Sequence, residues 1–261
     1  FVFLMGVVLE RYPGAEGFGI MYLLGLCTVA VNIVMFLMYP NPEFERSPTY
    51  GISGLIGAPL RDREFLRAII FLTCWTLLLN LAHPFFSYVM LDVMNLGYQW
   101  VSVLNILQKV AAMAGFLVWG NLSVRFANRT LLLWSLPILA LSCLLWGAMA
   151  VVPALAVLVL VNLLTGFGSG AYSQVVFIFV IGDTPKADRP AYIAVYAAIT
   201  GLAGFFGPTL GGAIFNQLEN APYWLQSYGV FTAVGLAMLL LGWIVGPRVF
   251  RPRQPNGAAR G

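Results

Sequence analysis

An all-α membrane protein with about seven transmembrane helices is the fold class this sequence predicts, and three observations predict it. Sixty per cent of its residues are hydrophobic and nine per cent charged, and the mean hydropathy is +0.86. A soluble domain carries roughly 45–50% apolar and about 25% charged residues, so the solvent here must be lipid. Apolar runs long enough for a bilayer core, about 20 residues each, recur seven times. Arginine and lysine collect in every second connection between those runs.

Residues 1–10, "FVFLMGVVLE", are too few to span and carry no initiating Met or basic leader. They read as the tail of a helix that begins upstream, so the chain is expected to be part of a longer one. The spans follow at 19–39, 65–90, 98–120, 130–150, 154–182, 190–216 and 223–246. The one sizeable hydrophilic stretch, 40–64, carries Pro, Gly and mixed charges and reads as a linker. It sets the first span apart from a block of six helices over 65–246, whose short connections favour antiparallel neighbours. Residues 247–261 form a basic tail.

Arg46, Arg61, Arg63 and Arg67 lie between the first two spans, Arg125 and Arg129 between the third and fourth, and Lys186 and Arg189 between the fifth and sixth. Arg248, Arg251, Arg253 and Arg260 end the chain, and the connections after the second, fourth and sixth spans hold none; only Arg11, before the first span, and Lys109, within the third, depart from the pattern. The positive-inside rule puts the basic connections and the C-terminus in the cytoplasm. The basic pI of 9.1 follows from this topology, and nothing in it calls for a nucleic-acid partner. Cys27, Cys74 and Cys143 lie in apolar runs without metal or redox spacing and read as small buried hydrophobes. No metal or other cofactor is expected.

Polar residues inside a span usually face protein or a hydrated cavity. In the second span Thr76, Asn80, His83 and Ser87 share one helical face, and in the third Asn105, Gln108 and Lys109 do so near mid-span. The fifth carries Asn162, Thr165, Ser169, Tyr172, Ser173 and Gln174, and the sixth Tyr192, Tyr196 and Thr200. The fourth and seventh have little that compares. Four helices are therefore expected to line a cavity while two face lipid.

A lysine at mid-membrane costs about 2.5–3.5 kcal/mol on the lenient insertion scale. Lys109 is either an anion-attracting or coupling group in a cavity, or a structural charge that snorkels or pairs with a neighbour. His83, the only histidine, precedes Pro84 and is either protonatable in a pathway or a satisfied ring beside a kink. Asn80 and Gln108 suit hydrogen bonds between helices as well as ligand contact. All ten acids lie in connections or at span ends, so no carboxylate relay is visible within these spans. Gly166/Gly170 and Gly207/Gly211 have the GxxxG spacing of close helix packing, and Pro208 marks a bend; packing and a gating hinge are both open.

Between the third and fourth spans stands "GNLSVRFANR". It resembles the loop motif G-x-x-x-D-R/K-x-G-R/K-R/K of major facilitator superfamily transporters, in the weaker copy between their eighth and ninth helices. Gly120, Arg125 and Arg129 match; Val124, Ala127 and Asn128 replace the acid, the second glycine and a basic residue. "GPTLGGAIF" in the sixth span is similar to the family's eleventh helix. The resemblance implies that 1–39 is the end of the N-terminal half (the end of its fifth helix, then the sixth). Residues 40–64 would be the cytoplasmic linker and 65–246 the C-terminal six-helix bundle. It implies a secondary active transporter of a small solute, working by alternating access and coupled to protons, in the bacterial inner (plasma) membrane.

In that frame Lys109, His83, Asn80, Gln108, Asn105, Tyr196 and Asn162 are the candidates for the substrate and coupling pathway. The expected partners are the solute, the bilayer and the missing N-terminal half. With Val124 in place of the acid, Arg125 and Arg129 either pair across the cytoplasmic face or simply obey the positive-inside rule. The competing readings are a membrane-embedded enzyme acting on lipid and a membrane protein without transport. The first lacks an acid cluster or nucleophile–base pair, since Asp183 and Asp188 stand isolated in a turn. The second does not need polar stripes on four helices.

Overall fold

The computed structural model describes residues 7–9, 11–12, 14–39, 52–182, 184 and 188–250. Seven helices among them are long and apolar enough to cross a membrane. They are α1 (Ala15–Leu37), α3 (Arg63–Val93), α4 (Tyr98–Ser123), α5 (Asn128–Ala150), α6 (Ala154–Gly182), α7 (Arg189–Gln217) and α8 (Leu225–Val249). Each expected span is present, with ends shifted by a few residues.

The expected linker differs in one respect: it holds a short helix, α2 (Ile52–Arg61), packed on α3 and α7. Ile52, Leu55, Ile56 and Leu60 recur at helical spacing, a pattern that the glycines and prolines around them obscure. Residues 40–51, and Asp183 and Lys186 of the later turn, lie outside the described residues, as do 1–6 and 251–261.

Helix starts and irregular turns have local causes. Asp62 caps α3 by accepting hydrogen bonds from the amides of Glu64 and Phe65 at 3.0 and 3.2 Å. Pro84 sits inside α3, and the helix loosens into a π-helical turn at Val89–Val93. The last turns of α5, Leu145–Ala150, tighten to 3₁₀ geometry, and α8 has π-helical turns at Leu225–Gly229 and Leu241–Val245.

The six helices from α3 to α8 make one bundle. Its two tightest pairs are α4 with α6 and α3 with α7; α5 packs on both α6 and α8, and α8 leans on α3. The core is aromatic at both ends. Phe86, Trp146 and Phe231 meet with ring centroids 4.5–4.9 Å apart. Phe250 is buried between Phe71 and Phe179, at 5.2 and 5.5 Å. Such pairs add about 0.5–1.5 kcal/mol beyond area burial. By contrast, α1 is exposed along nearly all its length and, of its own residues, buries only Gly17.

The glycines decide how closely the pairs approach. A Cβ at Gly166 would stand 2.1 Å from the Gln108 carbonyl oxygen, and one at Gly170 would stand 2.4 Å from that of Ala112. From the other side, a Cβ at Gly115 would reach the Phe167 oxygen at 2.5 Å. Gly207 and Gly211 do the same for α7 against α3, beside Asn80 and Leu81. Both GxxxG pairs are therefore packing surfaces, and α7 runs unbroken through Pro208. Cysteine burial is a correction: Cys143 is buried as expected, but Cys27 and Cys74 are exposed, because they fall on helix faces that no other described segment covers.

Candidate functional site

The α3 stripe divides by what each side chain touches. The Thr76 hydroxyl lies 3.4 Å from that of Tyr172, joining α3 to α6. Asn80 turns back on its own helix, its amide nitrogen donating to the Thr76 carbonyl at 2.9 Å, while its Cβ backs onto Gly207. His83 is half-buried one turn further on, its ring 5.0 Å from Phe86. Its Nε2 is buried without a hydrogen-bond partner among the described residues. A buried polar atom left unpaired costs roughly 1–3 kcal/mol.

Tyr196 of α7 is half-buried. Its carbonyl accepts from the Thr200 hydroxyl at 2.7 Å. Thr76 and Tyr172 thus bring two hydroxyls together where α3 meets α6. Of these, Tyr172 was not singled out by spacing: it was one polar residue of six on its helix, and only the crossing of α6 with α3 selects it.

Asn105 and Gln108 are half-buried on α4, and Lys109 beside them is exposed. Lys109 has no ion pair or hydrogen bond among the described residues. It lies 11 residues from the start of α4 and 14 from its end, about 16–21 Å of helix in either direction. At that depth the stem cannot bring the ammonium to either interface. The exposed arc of α4 is two-sided: Asn105 and Lys109 share one stripe, whereas Val103, Val110 and Leu117 make an apolar one.

Asn162 is set differently. It is 3% exposed, and its amide donates to the Leu158 carbonyl at 2.8 Å, so its hydrogen bonding is met within α6. Ser135 and Ser142 of α5 likewise donate to carbonyls three residues back, at 2.8 and 2.7 Å. A polar residue in a span is thus not in itself evidence of a cavity.

At the bundle's basic end, Arg129 pairs with Glu64 at 3.8 Å, bringing the start of α5 to the start of α3. The Tyr192 hydroxyl donates to the Asp62 carboxylate at 3.4 Å, tying α7 to the same place. Gly120 is half-buried beside Gln174, and Arg125 is exposed. Arg129 therefore reaches an acid in the first turn of α3, while Val124 stands where the motif has its acid. Arg129→Gln is expected to cost at most about 1 kcal/mol, as partly exposed pairs do. A thermal midpoint in detergent checks it; a loss several times larger would make the pair a principal tie of this face.

Seven apolar helices, four with polar groups turned toward one another or left open, define an integral multi-pass membrane protein. The family model described as Major Facilitator Superfamily matches residues 84–261. An efflux pump, aflT of Aspergillus parasiticus, is 29% identical over 102 residues, 39% of this chain and 19% of the relative. An MFS-type transporter of Mycobacterium tuberculosis is 27% identical over 138 residues, 53% and 19% of the two. Multidrug resistance protein 3 of Bacillus subtilis is 26% identical over 110 residues, 42% and 21%. The chain spans about a fifth of the length of the curated relatives it matches. It belongs to the major facilitator superfamily.

Proposed function

We propose that this chain is the C-terminal part of a secondary active transporter that exports a small organic solute by alternating access, coupled to protons. The observation that carries the reading is Lys109, an ammonium at mid-span without a partner among the described residues. Together with Asn105 and Gln108 on α4 it offers an anionic or strongly polar group of the solute a first point of contact. His83, Asn80 and the hydroxyls of Thr76, Tyr172 and Tyr196 supply further donors and acceptors from the other side of the bundle.

Family membership supports alternating access between two halves, the site lying near the midplane. Export is supported by relatives named an efflux pump and a multidrug resistance protein. Proton coupling rests on the family resemblance. With no acid inside these spans, a coupling carboxylate would come from the N-terminal half. The positive-inside rule supports a cytoplasmic C-terminus in a bacterial plasma membrane.

The test is transport by the full-length protein in proteoliposomes, with carboxyfluorescein as anionic probe and ethidium as cationic probe. Expected is movement of the anion opposite to an imposed proton flux, in exchange for protons, abolished by a protonophore. Movement indifferent to the protonophore would remove the coupling. Preference for ethidium would remove Lys109 as the recognition group.

A further inference from the structure

A concave site lies on the surface of the bundle, lined by none of the polar residues discussed above. Between α5 and α8 runs a groove of about 280 Å³ walled by Leu133, Pro137, Met238 and Trp243, with Trp75 of α3 beneath and Gly242 in its wall. Every side chain that lines it is apolar. Local sequence holds it open. Pro137 interrupts the hydrogen bonding of α5, and α8 widens into its π-helical turn at Leu241–Val245, where Gly242 withholds a side chain. A Cβ at Gly242 would meet only Trp75 and Leu136, at 3.4–3.9 Å, which is ordinary contact, so the space is left empty rather than closed by packing.

An exposed cation stands at its mouth. Pro247 lines the groove, and the next residue, Arg248, is exposed, its guanidinium donating to the Ile244 carbonyl. Arg251 and Arg253 follow in sequence. A solute bound for polar recognition would find no polar side chain in the groove, whose volume also falls below the usual range for drug-sized ligands. An acyl chain needs only the apolar slot, and an anionic headgroup needs only the arginine end.

From these features we infer that the groove between α5 and α8 binds an anionic phospholipid from the leaflet at the Arg248 end. One acyl chain lies between Pro137 and Trp243, and the phosphate sits at Arg248. Basic residues next to a span attract anionic lipid with a gain equivalent to about fivefold in affinity each. The site is separate from the solute pathway and stands whether or not the solute is an anion.

The test uses the full-length transporter in phosphatidylcholine nanodiscs doped with phosphatidylglycerol or phosphatidylcholine bearing brominated acyl chains, which quench nearby tryptophan. The signal is the difference between the wild type and Trp243→Phe. Expected is stronger quenching by the brominated phosphatidylglycerol at equal mole fraction. Gly242→Leu, which fills the groove, should remove that excess. Arg248→Gln, whose side chain is exposed and supports no packing, should reduce the preference about fivefold. Equal quenching by both lipids in the wild type overturns the proposal. So does an excess that survives both substitutions, or quenching by neither lipid because a second copy covers the groove.

Discussion

Gly170→Leu is expected to leave little folded protein, a loss of at least about 3 kcal/mol, the upper end of ordinary overpacking. The first added carbon would stand 2.4 Å from the Ala112 carbonyl oxygen and 3.2 Å from the Phe116 nitrogen. Those are backbone atoms of α4, so no side chain can rotate away and the two helices must separate. Separation would also open the contacts at Gly166 and Gly115, because the three glycines form one seam. In lipid, helices associate through van der Waals packing and a few hydrogen bonds rather than the hydrophobic effect. A gap of less than 1 Å already forfeits a quarter to a half of each contact. Gly201→Ala and Gly204→Ala are the controls. Neither position has an atom within 4 Å of an added Cβ, and alanine favours a helix by up to about 1 kcal/mol. Monodisperse recovery and thermal midpoint in detergent separate the two sets. A Gly170→Leu protein as stable as the wild type would show that α4 and α6 do not approach as described.

Lys109→Met is expected to lower transport of an anionic solute by roughly 10- to 100-fold with normal yield and stability. The size follows from hydrogen bonds to charged groups, worth about 1.5–3 kcal/mol. The side chain packs against nothing that would be lost, since it is exposed and unpaired among the described residues, so folding should be indifferent. Met keeps the length and apolar stem and removes only the charge. Lys109→Arg keeps the charge and should retain part of the activity. Unchanged transport by Lys109→Met across the pH range would take this residue out of the mechanism.

Several features were legible before the fold. Long apolar runs and alternating arginines located the spans, because partition into lipid is a sum over neighbouring residues. Both ends of α3 and the C-terminal end of α8 lie a few residues beyond the apolar run because Asp62 capping and π-helical turns prolong those helices. The helix α2 was less visible, its apolar spacing lying among glycines and prolines that read as breakers. Among the candidates, Asn162 looks like His83 in sequence, yet one bonds within its own helix and the other has a buried nitrogen without a partner among the described residues.

The sequence by itself determined that this is a seven-span helical membrane protein with one basic end, four helices with polar faces and a lysine at mid-span. Only the tertiary structure decided that Gly166 and Gly170 meet Gln108 and Ala112, that Arg129 reaches Glu64, and that Tyr172 joins Thr76. The reason is that hydropathy and helix period are local. Pairing depends on the rotation of segments 50 to 100 residues apart, here 96 between Thr76 and Tyr172. In lipid no contrast between apolar core and apolar solvent marks the inward face of a helix, so packing alone selects it.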